Sequence, residues 1–179
     1  MNTLAIDPSL TSSGFAYFEG ATLVETRRIT ARGSDDCKAV RAAQMAARIL
    51  ERAAGYRVTT LVVEWPQIYR ATRSKSNPND LLGLAAIAGI LASALQHARV
   101  RTPTPAEWIG QLPKATRGNA MSSPRALRIM SRLTSSECVL VLNQHDVIDA
   151  VGLALWSMGR LSPRRIYGPT PKENGLLER

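Results

Sequence analysis

The chain has 179 residues, of which 45% are hydrophobic, and this length favours one domain with a sizeable core over two domains. It contains no run of about 18 apolar residues, which argues against a membrane-spanning helix. The formal net charge of +9 favours a polyanionic partner, and nucleic acid is the first candidate.

The first thirty residues predict three β-strands, at 3–7, 14–19 and 22–30. Gly20 allows a tight turn, so the second and third strands are predicted to form an antiparallel hairpin. Charged residues occur in both alternating sets of the third strand, which is typical of an outer strand. The two sets are Leu23, Glu25 and Arg27, and Val24, Thr26 and Arg28.

The middle of the chain predicts a helix, a strand and a second helix. Ser34 is the expected N-cap of the first helix, which ends near Ala54. Its apolar stripe at helical spacing consists of Val40, Ala43, Ala47, Leu50 and Ala54. Residues 58–64 predict a buried strand, and a helix capped by Asn77 or Asn79 follows it.

The last part of the chain predicts one more strand and several helices. The strand covers 98–102, and a short helix capped by Thr104 follows it. Two further helices are expected at 124–133 and 143–159. Residues 160–179 carry five basic and two acidic residues, and we expect them to form a flexible basic tail.

The order of these elements predicts an α/β fold built on a mixed sheet of five strands. The hairpins make the first strands antiparallel, and helical crossovers make the later strands parallel. We expect one domain over residues 1–159. Helix 79–98 is apolar on more than one face, so we expect burial on one side and a homodimer contact on the other.

Cysteine usage and the N-terminus indicate a cytoplasmic protein. Cys37 and Cys138 are far apart and lack metal-ligand spacing, so both are predicted to be reduced thiols. The first residues lack the basic and then apolar pattern of a signal peptide.

Four acidic residues occupy positions where surface acids are uncommon. Asp7 and Glu64 end the first and fourth strands, while Asp146 and Asp149 lie three residues apart on one face of the last helix. If the two strands are neighbours, these acids lie close together and repel one another unless protons or cations intervene. Carboxylate oxygens favour hard cations such as Mg²⁺ or Mn²⁺, and a pair of such ions can hydrolyse a phosphodiester.

Each acid also has an ordinary structural alternative. Asp7 can cap a turn, and Asp146 can stabilise the first turn of its helix. Only their joint placement in a basic chain points to a site.

The segments LAIDPSLTSSGFA, LVVEWPQIY and HDVIDAVGLALW resemble the acidic motifs of the RuvC-type Holliday junction resolvases. The resemblance extends over about residues 3–158 and implies an RNase H-like fold with helices on both faces of the sheet. It also implies paired nicking of four-way DNA junctions by a homodimer, with two metal ions per active site. The implied metal ligands and catalytic residues are Asp7, Glu64, Asp146 and Asp149. The hydroxyl-rich first loop is similar to that of the phage-encoded branch.

The sequence departs from the family pattern in the first loop, where Ser9 replaces a usual glycine. The family uses basic residues of its penultimate helix in cleavage, and the candidates here are Lys114, Arg117 and Arg125. Some relatives use a histidine near the position of His145, for which a solvent-facing place in the first helical turn is the alternative.

Contact with DNA is expected from basic segments and from aromatic residues that follow Glu64. In the family an aromatic residue of this loop wedges the junction, and packing at the sheet edge is the alternative for Trp65. Trp108 and Trp156 are predicted to be core residues. The candidate DNA-binding residues are Trp65, Tyr69, Arg70, Arg73, Lys75, Lys114, Arg117 and Arg125.

Other functions stay open. The first loop also resembles the phosphate loop of sugar kinases and actin-like ATPases, although the chain holds one copy of the core and has no glycine-rich adenosine segment. A nuclease acting mainly on other branched DNA, or a junction-binding protein without cleavage, are further alternatives.

Overall fold

The computed structural model describes residues 1–31, 37–68, 78–109, 130–132, 134 and 145–162. Within these residues five strands and four helices have defined bounds. The strands are β1 (Asn2–Asp7), β2 (Ser12–Glu19), β3 (Thr22–Thr30), β4 (Thr60–Val63) and β5 (Arg99–Arg101). The helices are α1 (Lys38–Ala53), α2 (Pro78–Ala94), α3 (Pro105–Trp108) and α4 (His145–Ser157).

The five strands form one mixed sheet in the order β3-β2-β1-β4-β5. Strand β2 pairs antiparallel with both β1 and β3, whereas β4 runs parallel to β1 and to β5. This arrangement confirms the predicted five-stranded mixed sheet and the outer position of β3.

Helices cover both faces of the sheet, as predicted. Alternate residues of β1, among them Leu4 and Ile6, pack against α1 and α2. On the other face Ala5, Ala16 and Val62 pack against α4, which buries Val147, Ile148 and most of its later residues. The carboxyl ends of β1 and β4 therefore open beside the N-terminus of α4.

Strand β2 begins at Ser12, two residues before the predicted start at Gly14. Ser12 and Ser13 pair with Thr30 and Ile29 of β3, so the hydroxyl-rich segment is partly strand and not only turn. A bulge between Tyr17 and Phe18 then shifts the β2–β3 register.

The predicted start and stripe of the first helix are wrong. Helix α1 begins at Lys38 with Cys37 as its N-cap, whereas Ser34 lies outside the described residues. Its buried residues are Ala42, Met45, Ala46, Ile49 and Ala53, and Val40 of the predicted stripe is exposed. The predicted and the buried stripes adjoin on one broad apolar face, so helical spacing alone does not distinguish them, and the longer Met45 and Ile49 determine the buried one.

Helix α2 begins at Pro78, so Asn79 is not its cap, and the alternative cap Asn77 lies outside the described residues. The helix ends at Ala94 rather than near residue 98. Pro78 suits the first helical position because its missing N–H would have no partner within the helix there. Thr104 caps α3 as predicted, in a capping box with Glu107. Hydrogen bonds from the backbone N–H and the hydroxyl of Thr104 lower the pKa of Glu107.

Several predictions fall outside the described residues. They concern Cys138, the helix at 124–133 apart from residues 130–132, and most of the tail at 160–179. Cys37 is exposed. Within the described ranges, the model contains no helix long and apolar enough to cross a membrane.

A polar cluster attaches the outer strand β3 to α1. Glu25 of β3 accepts hydrogen bonds from Tyr56 and, at 2.8 Å, from Nε of Arg52. The Tyr56 ring also stacks on Tyr17 at 4.1 Å between centroids. The hydrogen bond to Glu25, with burial, raises the pKa of Tyr56. This cluster holds β3, which carries Arg28, against the body of the domain.

Gly14 is the residue over which α4 crosses the sheet. A Cβ atom at Gly14 would lie 1.8 Å from the backbone oxygen of Asp146 and 2.3 Å from its carbonyl carbon. These are backbone atoms, so no side-chain rotation can relieve the overlap. The first turn of α4 therefore reaches its place only because this position has no side chain.

We predict that Gly14→Ala destabilises the protein by about 1–3 kcal/mol, the usual cost of overpacking a core. Chemical denaturation followed by circular dichroism measures the free energy of unfolding. Gly55→Ala is the matched control, because a Cβ there meets no atom within 4 Å. Equal stability of the two variants would contradict the close approach of α4.

Candidate acidic site at the ends of β1 and β4

Asp7 and Glu64 lie at adjacent strand ends, as predicted. Ile6 is in register with Val63, and the Glu64 N–H donates to the Ile6 carbonyl at 3.1 Å. Alternation along the strands places Asp7 on the same face as Ala5, and Glu64 on the same face as Val62. Because Ala5 and Val62 pack on the α4 side, both carboxylates belong to the face that α4 covers.

Asp146 approaches this edge through the backbone contact with Gly14. Gly14 is the β2 residue directly opposite Asp7, so the first turn of α4 lies one strand away from Asp7. Asp149 follows nearly one helical turn later on the same helix. The fold thus brings Asp7, Glu64 and the first turn of α4 to the carboxyl ends of β1 and β4, and Asp149 follows on the same helix.

The Asp146 side chain is held by two residues of the sheet. The Ser12 hydroxyl donates to Asp146 Oδ2 at 2.6 Å, and Arg28 Nε lies 3.7 Å from the same oxygen. Arg28 Nε also donates to the Ser12 oxygen. This chain of contacts connects the outer strand to the first turn of α4.

Glu64 is held by Trp108. The indole Nε1–H donates to Glu64 Oε2 at 2.6 Å, and the Trp108 side chain is buried in the core below α4. Two hydrogen bonds from backbone N–H groups keep the segment after Glu64 near α3. Trp65 N–H donates to the Pro103 carbonyl at 2.8 Å, and Ala106 N–H donates to Gln67 Oε1 at 3.3 Å. The indole therefore reaches Glu64 from a fixed position.

The loop after Asp7 is ordered by its own hydroxyls. Ser9 N–H donates to Ser13 Oγ at 3.0 Å, and the Ser13 hydroxyl donates to the Ser9 carbonyl at 3.1 Å. Leu10 is buried. It packs so closely on α2 that a Cβ atom at Gly83 would lie 2.8 Å from its side chain. The loop therefore packs against α2 and leaves Thr11 exposed.

The donor chemistry of the four acids suits hard cations. Carboxylate oxygens are preferred by Mg²⁺ and Mn²⁺, and no nitrogen or sulfur ligand is needed. In the residues that the structure describes, no three His, Cys, Asp or Glu side chains already converge as ligands of one metal ion. The backbone therefore brings the acids to one part of the fold, while the side chains of Glu64 and Asp146 accept hydrogen bonds from Trp108 and Ser12.

The other predicted site residues divide into two groups. Trp65 is 40% exposed, and His145 is the exposed first residue of α4, so both reach the surface near the acids. The remaining candidates lie outside the described residues: Tyr69, Arg70, Arg73, Lys75, Lys114, Arg117 and Arg125.

Four residues with clear places at this edge were missed or given another role in the sequence. The sequence predicts only a strand for Gly14, the first loop for Ser12, an outer strand for Arg28 and the core for Trp108. Their contacts with Asp146 and Glu64 join residues between 44 and 134 positions apart in the chain. No local pattern signals such pairs.

No protein-family model matches the sequence, and no curated protein matches it. Similarity appears among solved structures. RuvC of T. thermophilus in complex with a Holliday junction substrate has a TM-score of 0.59 and 19% identity, covering 91% of this chain and 99% of that one. A second Thermus thermophilus RuvC structure has a TM-score of 0.58 and 15% identity over the same shares.

A yeast protein extends the comparison. The mitochondrial Holliday junction resolvase Ydc2 has a TM-score of 0.51 and 9% identity, covering 85% of this chain and 76% of that one. Identities this low establish shared architecture rather than shared chemistry. The chain has the fold of the RuvC-type Holliday junction resolvases.

Proposed function

We propose that the protein is a metal-dependent, structure-selective DNA endonuclease that resolves four-way junctions by paired symmetric nicks. The observation that supports this function best is the meeting of Asp7, Glu64 and the first turn of α4 at one sheet edge. The shared fold with RuvC-type resolvases adds support. Phosphodiester hydrolysis is the proposed reaction class, and the hydroxyl-rich first loop is similar to that of the phage-encoded branch.

In this proposal Asp7, Glu64, Asp146 and Asp149 hold two Mg²⁺ or Mn²⁺ ions. When bound, such ions would lower the pKa of a water nucleophile and offset charge on the leaving oxygen. The protein's part is to hold the four carboxylates in place. Strand ends mount Asp7 and Glu64 rigidly, and Trp108 and Ser12 each orient one carboxylate.

The DNA partner is inferred from charge and exposure. A net charge of +9 favours contact with phosphates, and binding that neutralises phosphates weakens steeply as salt rises. Trp65 presents an exposed indole directly after Glu64, where it can stack on an unpaired base. The basic candidates named from the sequence would supply the phosphate contacts, with His145 as an assisting group. We place this activity in the cytoplasm of a bacterium or of a phage-infected cell.

Two symmetric nicks require two active sites, and α2 is the proposed homodimer surface. Leu82 is 69% exposed, and Ala86, Gly89 and Ile90 are exposed on the same side of the helix. The opposite side buries Ile87, Ala88 and Leu91 in the core. An apolar stripe on the outer face of a helix whose inner face is already packed is suited to a second copy.

The catalytic assignment predicts that Asp7→Asn reduces junction cleavage by more than about 100-fold, beyond the 10–100-fold typical of outer-shell partners of a metal. Binding of a fluorescent four-way junction, measured by anisotropy, is expected to survive. Glu19→Gln is the matched control, because Glu19 also ends a strand but at the opposite edge of the sheet. An intact junction with the unmodified protein and Mg²⁺, together with ATP-dependent phosphorylation of a small molecule, would favour the phosphotransferase alternative instead.

The contact between Trp108 and Glu64 predicts that Trp108→Phe lowers cleavage by about 10–100-fold, because Glu64 loses its N–H donor while most of the apolar packing remains. Single-turnover cleavage and Mn²⁺ binding measure the effect. Trp156→Phe is the control, since Trp156 packs on the same core but lies against Arg101, 5.0 Å from its ring centroid. Equal loss in both variants would indicate a packing effect only.

The dimer surface predicts that Leu82→Glu converts a homodimer to monomers, because the charge would be buried in an apolar interface. Light scattering measures the molar mass. Val40→Glu places the same charge on the exposed side of α1 and is expected to leave the dimer intact. Dimers that persist in Leu82→Glu would exclude this face of α2.

A further inference from the structure

We infer that Ser12 is a positioning residue for Asp146 and that Arg28 sets the direction of the Ser12 hydroxyl. This inference rests on the proposed metal-dependent function, in which Asp146 is a ligand. Neither residue belongs to the four acids.

Three residues of the sheet surround Asp146, namely Ser12, Gly14 and Arg28. Ser12 and Gly14 alternate along β2 and so share the face that α4 covers. Arg28 is the β3 residue directly opposite Gly14, and therefore lies on the same face. Gly14 admits the backbone of Asp146, while Ser12 and Arg28 reach its side chain.

The direction of the hydrogen bonds follows from the chemistry of the groups. A guanidinium N–H can only donate, so Arg28 occupies a lone pair of the Ser12 oxygen. The single Ser12 proton is then available for the carboxylate, to which it is donated at 2.6 Å. Arg28 thus fixes a hydroxyl that would otherwise rotate.

Both contacts meet the same oxygen of Asp146. The Ser12 donor and the Arg28 cation each approach Oδ2, at 2.6 Å and 3.7 Å. A carboxylate held by one oxygen presents its other oxygen in a defined direction. Hydrogen bonds of this kind orient metal-binding carboxylates, and their loss typically weakens metal binding by 10–100-fold.

The location of Ser12 suits this role. Ser12 is only 7% exposed and lies in a paired strand. Bulk water therefore cannot readily take the place of its hydroxyl as the hydrogen-bond donor to Asp146. Arg28 is half exposed at the side chain, and β3 is attached to α1 through Glu25. The support for Asp146 is therefore built into the sheet and does not depend on DNA.

The test is Mn²⁺ binding by isothermal titration calorimetry without DNA, which does not depend on cleavage. We expect Ser12→Ala to weaken Mn²⁺ binding by about 10-fold or more, and Ser12→Thr, which keeps the hydroxyl, to restore it. Thermal unfolding of both variants checks that they fold. Affinity for Mn²⁺ that is the same in Ser12→Ala and the unmodified protein would overturn the inference.

Arg28→Met separates orientation from charge. Removing a cation near a metal site should by itself strengthen Mn²⁺ binding, whereas loss of hydroxyl direction should weaken it. Arg27→Met is the matched control, since Arg27 is the next residue on the opposite face of β3 and removes the same charge. We expect Arg28→Met to bind Mn²⁺ more weakly than Arg27→Met. Tighter binding in Arg28→Met would show that Arg28 opposes the metal and would overturn its assigned role.

The outcome also separates this inference from the proposed function. If the unmodified protein and Asp146→Asn both fail to bind Mn²⁺, the metal-dependent function and this inference fall together. If the unmodified protein binds Mn²⁺, Asp146→Asn weakens binding and Ser12→Ala does not, only the positioning role of Ser12 is overturned.

Discussion

The close approach of α4 to Gly14 is the constraint on which the acidic edge depends. Asp7 ends β1, and Gly14 lies directly opposite it on β2, so the helix that crosses Gly14 must begin beside Asp7. Any side chain at position 14 would move the backbone of Asp146 and separate it from the strand ends. The same contact brings Asp146 within reach of Ser12 and Arg28. One missing Cβ atom therefore decides whether strand and helix acids can share an edge.

The parts of this architecture that depend on short-range patterns were predictable. Strand β3 matched its predicted bounds, and the positions of Asp7 and Glu64 followed from the expectation that β1 and β4 are neighbours. The α1 stripe was not predictable in the same way, because the predicted and the buried stripes adjoin on one broad apolar face and each contains three alanines. The packing of Met45 and Ile49 against the sheet resolves the choice.

The bulge in the β2–β3 pairing explains why Arg28 was not associated with the site. Strict alternation places Leu23 and Arg28 on opposite faces of β3, whereas the bulge inserts one residue into β3 opposite the step from Tyr17 to Phe18. After that shift both residues face α4. A bulge has no reliable signature in a single sequence, and the resulting pairing of Arg28 with an acid 118 positions later has none either. Asp7 and Glu64 were predictable as strand ends, but the donors that hold Glu64 and Asp146 were not.

Electrostatics connects the acidic edge to the rest of the chain. A body with a net charge of +9 attracts DNA over distances of about a Debye length, roughly 8–10 Å at physiological salt. Phosphates that reached this surface would meet a local group of carboxylates. The repulsion between like charges a few ångströms apart is far stronger than the screened attraction that the net charge exerts at longer range. Under the proposed function, DNA binding and catalysis would therefore place opposite demands on charge at this surface. Cations at the carboxylates would meet both demands, and side chains already oriented by Ser12 and Trp108 would lower the entropic cost of assembling such a site.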